Sequence, residues 1–203
     1  MIAVITGDIV NSRELSPDWI SQLKETLASL NIKTIKWEIF RGDSFQIELP
    51  VLDALWNVLY IKACIKTIKG ADVRMSIGIG PQTASFSNKV TEASGEAYIN
   101  SGTAFDTLKS LKMNLVLKSP VEEFDGDLNL YFKFASLIMD NWSVTSATVV
   151  KYKFENEQEK QDKIAELTGK SQSSISESLK RAHYSEIMEL EKKYKEKVTQ
   201  TFY

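Results

Sequence analysis

Apolar residues recur with two different spacings in the N-terminal part of the chain, and their order predicts an α+β domain. Alternating or continuous apolar runs predict strands at residues 2–5, 36–40, 45–49 and 73–80. Apolar residues three and four apart predict helices at residues 16–30 and 52–68. This strand-helix-strand-strand-helix-strand order is the split βαβ pattern of a ferredoxin-like fold, with an antiparallel sheet and two helices on one face. It places the first and third strands side by side in the centre of the sheet.

The following segment continues the same domain to about residue 142. We expect a loop at residues 82–91, a helix at 95–112, a strand at 113–118 and a turn at Phe124-Asp125-Gly126-Asp127. A connecting helix then covers residues 128–142, with the apolar positions Leu130, Phe134, Leu137, Ile138 and Met139. Gly78 and Gly80 interrupt a strand, which indicates that another backbone or a ligand approaches closely there.

Beyond residue 142 the pattern is helical throughout, which predicts an all-α module at residues 143–203. A short helix ends at Gly169 and a second follows from Ser171, the arrangement of a helix-turn-helix. We expect its helices to pack through Ile164, Ala165, Leu167, Ile175 and Leu179. The last helix carries the apolar stripe Ile187, Leu190, Tyr194 and Val198. A stripe this narrow suits pairing with another helix, so we expect a homodimer.

Charge and composition narrow the range of functions. The 203 residues carry a formal net charge of −2, so no overall positive field indicates nucleic-acid binding. Residues 143–203 hold 11 Lys and Arg against 10 Asp and Glu, so a DNA-binding module there would bind weakly as a monomer. The sequence contains neither a recognisable signal peptide nor an apolar run that would span a bilayer. We therefore expect a cytoplasmic protein without membrane contact.

Two aspartates supply the candidate chemistry. Asp8 follows the apolar run of the first strand, and Asp43 lies in the Gly42-Asp43 turn of the predicted hairpin. If the first strand lies beside the hairpin, both carboxylates meet at one edge of the sheet. They would repel each other there unless a cation lies between them, and carboxylate oxygens select Mg²⁺ or Mn²⁺. The alternative is that each Asp only caps a turn, where this residue is common.

Candidate ligand contacts lie near these aspartates and in the helix-turn-helix. Backbone N–H groups in the strand-to-helix loop after Asp8 form a natural cradle for phosphate. The candidate nucleotide or phosphate contacts are Ile9, Asn11, Ser12, Arg13, Arg41, Gly42, Ser44 and Arg74. In the second helix of the helix-turn-helix, short polar side chains can reach base edges and basic side chains can bind DNA phosphates. The candidate DNA contacts are Ser171, Gln172, Ser173, Ser174, Ser176, Lys180 and Arg181. The alternative for this module is a three-helix unit that contacts protein.

The segment Gly7-Asp8-Ile9-Val10-Asn11-Ser12-Arg13, together with the C-terminal helix-turn-helix, resembles the SatD family over essentially the whole chain. The first two thirds are also similar to the palm-type fold of class III nucleotidyl cyclases and diguanylate cyclases. That resemblance implies that Asp8 and Asp43 hold two metal ions. Those cyclases also carry an Asn and, four residues later, an Arg that stabilises the transition state. Here Asn100 is followed at that spacing by Ala104, so the resemblance implies binding without turnover.

The sequence therefore predicts a regulatory protein with two domains. A metal-dependent, nucleotide-binding palm domain (residues 1–142) is joined to a DNA-binding helix-turn-helix domain (residues 143–203). The expected partners are a nucleotide with Mg²⁺ or Mn²⁺, double-stranded DNA and a second copy of the chain. One alternative is an active nucleotidyl cyclase or related phosphotransfer enzyme, in which Arg13, Arg41 or Arg74 replaces the missing arginine. The other is a protein-interaction module without a ligand.

Overall fold

The sheet of this protein contains five strands in a mixed arrangement. The computed structural model describes residues 1–30, 36–81 and 94–203, and the predicted loop at residues 82–91 lies outside them. The strands are β1 (Ile2–Val10), β2 (Lys36–Phe40), β3 (Ser44–Pro50), β4 (Asp72–Gly80) and β5 (Leu115–Lys118). Their order in the sheet is β2-β3-β1-β4-β5. β5 runs parallel to β4, whereas the other neighbours are antiparallel.

Helices make up most of the remaining described residues. In chain order they are α1 (Asp18–Ala28), α2 (Ala54–Lys66), α3 (Glu96–Leu111), α4 (Glu122–Met139), α5 (Val144–Glu155), α6 (Gln161–Thr168), α7 (Gln172–Arg181) and α8 (Tyr184–Phe202). Short 3₁₀ turns at Ser12–Glu14 and Val51–Asp53 lead into α1 and α2. The chain is thus an α+β protein.

The predicted pairing in the centre of the sheet is confirmed, and the structure adds a fifth strand at its edge. β1 pairs with β3 on one side and with β4 on the other, so the first and third strands are neighbours as predicted. The four strands of the predicted pattern pair antiparallel as expected, and β5, whose neighbour was not predicted, adds a parallel strand beside β4. A parallel neighbour requires a crossover connection, and α3 lies in the chain between these two strands.

Side chains of successive strand residues point to opposite faces of the sheet, and the two faces differ in character. Ile5, Ile47 and Ile77 lie in one cross-strand row and belong to the main core with residues of α1 and α2. The opposite face carries polar residues such as Thr6 and Ser76, which also lie side by side. α3 packs on this polar face, where the Ser76 hydroxyl donates a hydrogen bond to the Ser101 carbonyl at 2.8 Å.

The close approach predicted at Gly78 and Gly80 is confirmed. A Cβ atom added to Gly78 would lie 2.1 Å from the Ser101 nitrogen and 2.2 Å from the Ala97 oxygen. A Cβ atom at Gly80 would lie 2.4 Å from the Ala97 nitrogen. Both glycines therefore let the backbone of α3 contact β4 directly.

The sequence-based interpretation of α4 is wrong about where the helix begins. The Phe124-Asp125-Gly126-Asp127 segment is not a turn, because α4 already begins at Glu122. Glu122, Glu123 and Asp125 fall in its first turn, where carboxylates are favoured by the helix dipole. Only the structure identifies the inward face of α4. Its buried residues are Phe124, Leu128, Phe132, Ala135, Ser136 and Met139, whereas Leu130, Phe134 and Leu137 are exposed.

The hydrophobic core continues across the predicted domain boundary at residue 142. One cluster of buried residues extends from Ala3 to Val198. Two buried hydrogen bonds join distant parts of the chain: the Trp142 indole donates to the Ala182 carbonyl at 3.0 Å, and the Tyr194 hydroxyl donates to the Val51 carbonyl at 2.7 Å. The division into residues 1–142 and 143–203 stays a prediction, and no gap in the core marks it.

The apolar stripe of α8 does not form a free pairing surface. Ile187, Tyr194 and Val198 are buried within the chain, and Leu190 packs partly buried against the core. The expectation that a monomer leaves this stripe exposed is therefore wrong. A narrow stripe on a charged helix fits packing against its own domain as well as against a second helix.

Candidate functional site

Asp8 lies on the polar face near the end of β1, between two strands that supply its partners. It is paired in register with Ser44 on β3 and with Arg74 on β4. The Arg74 Nε donates to Asp8 Oδ1 at 2.9 Å, and the Arg74 Nη2 donates to Oδ2 at 2.5 Å. The two side chains are only 15% and 19% exposed. Bidentate pairs of this kind combine charge with fixed geometry, so the Asp8 carboxylate is neutralised and oriented within the chain itself.

Asp43 lies in the turn of the β2–β3 hairpin, as predicted. Arg41 and Gly42 take positive φ angles of 52° and 89°, which tightens the turn. The Asp43 Oδ2 accepts a hydrogen bond from the Ser12 hydroxyl at 2.6 Å. The Asp43 carbonyl accepts one from the Ile9 N–H at 3.2 Å. The hairpin turn is thus fastened to the end of β1 beside Asp8.

The loop after β1 provides fewer backbone donors than the sequence suggested. The Ile9 N–H is used by Asp43, and the Ile9 side chain is buried in the core, so neither is free to bind phosphate. The Glu14 N–H donates to the Asn11 carbonyl at 2.8 Å. Asn11 and Arg13 are exposed, and Ser12 is half-buried. The candidates that these contacts leave in the loop are Asn11, Ser12 and Arg13, through their side chains and backbone N–H groups.

A small cavity opens beside the Asp8–Arg74 pair and brings in residues that the sequence did not indicate. It has a volume of about 120 Å³ and is lined by Asp8, Arg74, Phe105, Asp106, Leu108 and Lys109. The last four residues belong to α3. Asp106 and Lys109 are three apart, which places them on one side of the helix. That spacing was visible in the sequence, but only the packing of α3 on the polar face of the sheet relates it to Asp8.

The α3 positions that matter in cyclases have structural roles here. The Asn100 side-chain amide donates to the Ile79 carbonyl at 2.9 Å and is buried. Ala104 is 3% exposed and forms a small cluster with Leu108 and Val116. An arginine at position 104 would have to place its guanidinium among these side chains.

A row of polar side chains extends the site along the same face of the sheet. The Ser101 hydroxyl donates to Thr6 at 2.7 Å, and the Gln46 amide donates to Thr6 at 3.1 Å. The Tyr98 hydroxyl donates to the Glu48 carboxylate. Burial and then this carboxylate raise the pKa of the Tyr98 phenol, so Tyr98 stays a neutral donor. These hydrogen bonds hold α3 on the sheet. The row of polar side chains ends next to Asp8.

The donor set limits how a metal ion could bind. Among the residues that the structure describes, no group of three or more His, Cys, Asp or Glu side chains is placed to hold a metal ion. Asp8 and Asp43 lie at the same end of the sheet, where Ser12 and Ser44 each donate a hydrogen bond to Asp43. Two carboxylates cannot form a closed cage of protein ligands, because Mg²⁺ prefers six oxygen ligands.

Helices α6 and α7 pack against each other and are joined by a short turn, as the helix-turn-helix interpretation requires. Gly169 ends α6 with a φ of 64°, and Ser171 caps α7 by accepting from the Ser174 N–H. Ile164, Ala165, Ile175 and Leu179 are buried, as predicted. Leu167 is exposed instead, so it does not contribute to this packing as expected.

The candidate DNA contacts are all exposed around the start and the outer side of α7. They are Ser171, Gln172, Ser173, Ser174, Ser176, Lys180 and Arg181. Five of them already have partners within the chain, and three of these, Ser171, Ser173 and Ser174, form hydrogen bonds among their own hydroxyls. The Gln172 amide donates to the Gln161 side chain at 2.9 Å, and Arg181 pairs with Glu177 at 3.2 Å. Glu177 is exposed, so a ligand could displace its ion pair with Arg181 at small cost, whereas Gln161 is half-buried.

Fold and site define an α+β protein with an acidic and basic cluster at one end of a mixed sheet. None of the helices in residues 1–30, 36–81 and 94–203 has the length and apolar character needed to cross a membrane. The family model of the SatD family matches residues 1–201, so the chain belongs to the SatD family. Searches of curated proteins and of solved structures each give no significant match.

Proposed function

We propose that this chain is a regulatory protein that binds a nucleotide with Mg²⁺ at the Asp8 end of the sheet and binds DNA through α6 and α7. The observation that carries the proposal is the placement of Asp8 and Asp43. The hydrogen bond from the Ile9 N–H to the Asp43 carbonyl fastens the hairpin turn next to Asp8. Two carboxylates from separate elements thereby lie at one end of the sheet. Arg74, on β4, forms an ion pair with the first of them, Asp8.

The carboxylates fit a metal ion that arrives with a nucleotide. Mg²⁺ commonly binds through one or two protein carboxylates, while substrate phosphates and water complete its ligands. Asp8 and Asp43 would hold the ion, which would neutralise part of the charge on the phosphates. A resident metal without nucleotide is less favoured, because the described residues offer no third acidic or histidine ligand.

Basic side chains around the carboxylates fit the phosphates. Arg74 is held by Asp8 in the chain alone, and Arg13 and Arg41 are exposed on the two adjoining loops. Lys109 adds a further cation on the cavity wall. An arginine that is already oriented can form a bidentate contact with phosphate at low cost in side-chain entropy. An acidic centre with a basic rim is the charge pattern that a metal-bound polyphosphate requires.

The residues of α3 favour nucleotide binding without turnover. Cyclisation requires charge stabilisation at the transferring phosphoryl group, to which an arginine contributes strongly. Ala104 and Asn100 are committed to packing and to a hydrogen bond with β4. We therefore favour a ligand-sensing site over a nucleotidyl cyclase.

DNA binding is proposed from the shape and composition of the second helix pair. α7 has an exposed side of short polar residues, and Lys180 and Arg181 lie near its end. Such a helix can enter a major groove and read base edges. The alternative, a protein-contact unit, is favoured by the small charge of residues 143–203, which hold only one more basic than acidic residue.

A thermal-shift screen tests the nucleotide part. ATP, GTP and other nucleotides are added with Mg²⁺ or with a chelator, and the unfolding midpoint is recorded. We expect at least one nucleotide to raise the midpoint only when Mg²⁺ is present. Asp43→Asn should remove this shift, whereas Asp162→Asn, at an exposed position in α6, should keep it. No Mg²⁺-dependent shift for any nucleotide contradicts the proposal.

Selection from random duplex DNA, followed by affinity measurements at several salt concentrations, tests the DNA part. Lys180→Ala and Arg181→Ala should weaken binding to all sequences and reduce the salt dependence. Gln172→Ala should instead reduce the preference among sequences. Lys192→Ala, at an exposed position in α8, is the matched control and should have little effect. If no sequence is enriched, α6 and α7 are a protein-contact unit.

A further inference from the structure

The outer side of α4 exposes three large apolar side chains in a row. Leu130, Phe134 and Leu137, here called the α4 ridge, are 52%, 60% and 66% exposed. Their spacing of four and three residues places them on one side of the helix. A single exposed apolar residue is ordinary on a protein surface, but a contiguous patch indicates an interaction site.

A groove runs beside the α4 ridge, between α4 and α8. This α4–α8 groove has a volume of about 470 Å³. Its apolar lining comes from Tyr131, Phe134 and Ile138 of α4 and from Ile187 and Leu190 of α8. Phe134 belongs both to the ridge and to the groove, so the two form one continuous surface. Helix-in-groove packing is a common use of such a surface.

We propose that a second copy of this chain covers this surface, so that the α4 ridge of each copy lies in the α4–α8 groove of the other. A two-fold interface buries the same patch on both copies and therefore has to be self-complementary. Here a protruding part and a recessed part lie side by side on one patch. A two-fold rotation can bring each ridge opposite the groove of the partner.

The charges around the surface fit pairing with an identical surface. Glu186, Glu189 and Lys193 of α8 line the groove, and Lys133 is exposed on α4 next to Phe134. Together with Glu196, which pairs with Lys193 at 3.3 Å, the rim has three acidic and two basic groups, so both signs are present. A rim of one sign would repel its own copy, whereas a rim of mixed sign allows opposite charges to meet across the axis. A strongly acidic or basic partner would gain nothing from this rim.

The position of the surface is different from the dimer contact that the sequence suggested. Ile187, Tyr194 and Val198 face the interior of their own chain, so α8 contributes chiefly through Leu190. The main contribution comes from the exposed side of α4. The inference does not depend on nucleotide or DNA binding, because it is drawn from α4 and α8 alone.

Sedimentation velocity on the full-length chain over a range of concentrations tests this inference. We expect the wild type to be a dimer that dissociates on dilution. Phe134 is an aromatic residue at the centre of the surface, and removal of such a residue from an interface commonly weakens affinity by about 100-fold. Phe134→Glu should therefore be a monomer at concentrations where the wild type is a dimer.

The matched control is Ile99→Glu. Ile99 is 68% exposed on α3, outside the proposed surface, so its charged variant should remain a dimer. Thermal unfolding shows whether each variant is folded, and Leu137→Lys replaces Phe134→Glu if the latter unfolds. A wild type that is monomeric at all concentrations overturns the inference. So does a folded Phe134→Glu or Leu137→Lys variant that dimerises as tightly as the wild type.

Discussion

The Asp8 carboxylate and the Arg74 guanidinium form a two-point ion pair across β1 and β4, with donor–acceptor distances of 2.9 and 2.5 Å. The sequence suggested that Asp8 is destabilised by repulsion from Asp43 until a cation binds. The structure places a protein cation directly on Asp8 instead. The site is therefore charge-compensated in the chain alone, and Arg74 becomes the residue whose partner would change when a phosphate binds.

The first prediction concerns the stability of this pair. Arg74→Gln leaves a partly buried carboxylate without its cation, and we expect the free energy of unfolding to fall by about 1–3 kcal/mol. Asp8→Asn should cost less, because the long Arg74 side chain can reach solvent. The double variant should show a coupling energy of about 1 kcal/mol or more in urea denaturation. Glu166→Gln, at an exposed pair with Lys163, serves as the control and should cause no measurable loss. Additive effects of the two site variants would show that the pair contributes nothing.

The second prediction concerns the contact between α3 and β4. Gly78→Ala forces a Cβ atom onto the α3 backbone, which cannot move aside as a flexible side chain can. We expect a loss of about 3 kcal/mol or more in the free energy of unfolding. Gly126→Ala is the matched control, because Gly126 lies in α4 with open space around it. That variant should gain about 0.5–1 kcal/mol from helix propensity. Equal effects of the two substitutions would contradict the close packing of α3.

The third prediction is that residues 1–142 and residues 143–203 share one core and unfold together. Burial raises the pKa of Tyr194, so its hydroxyl is a neutral donor to the Val51 carbonyl. Tyr194→Phe removes one of two hydrogen bonds to that carbonyl, since the Ala54 N–H also donates to it, and we expect a loss of about 0.5–1.5 kcal/mol. Because α8 contacts the turn before α2, tryptophan fluorescence and helical circular dichroism should report one common transition. Tyr203→Phe, at an exposed residue, should change neither. Two separate transitions would show that residues 143–203 unfold independently.

The fourth prediction concerns turnover. Incubation with ATP or GTP and Mn²⁺ should give no cyclic nucleotide and no pyrophosphate above a protein-free control. Ala104→Arg should not create activity, because its guanidinium would enter the cluster of Leu108 and Val116 and destabilise α3. Robust product formation by the wild type would contradict the binding-only interpretation. Arg74→Gln, Arg13→Gln and Arg41→Gln would then identify the arginine that replaces the missing one.

Features that follow from the order of helices and strands could be predicted from the sequence. Features that depend on contacts between residues far apart in the chain could not. The adjacency of β1 and β3 followed from the order of strands and helices. The contact of Asp8 with Arg74 required the register between β1 and β4, which no local pattern specifies. Asp106 and Lys109 lie too far along the chain from Asp8 for any motif to connect them.

The wrong predictions for α4 and α8 also have physical causes that a local sequence pattern does not reveal. Asp125-Gly126 is a common turn sequence, but three carboxylates in the first turn of α4 favour the helix. α4 has apolar residues on two sides, so its periodicity could not identify the inner one. In α8 a single stripe was found correctly, yet the pattern could not distinguish packing on the own chain from packing on a second copy.

Titration calorimetry of the magnesium–nucleotide complex into the protein is the most direct test of the central claim, that Asp8 and Asp43 form a nucleotide site. The nucleotide is the one that gives the largest thermal shift. We predict binding by the wild type with Mg²⁺, loss of the heat with a chelator, and affinity weakened at least about 10-fold in Asp43→Asn, because replacing even a group that only orients a metal ligand typically costs about 10–100-fold. Asp162→Asn should bind as the wild type does. Equal affinity in Asp43→Asn and the wild type, or no heat from the wild type at all, would contradict the claim.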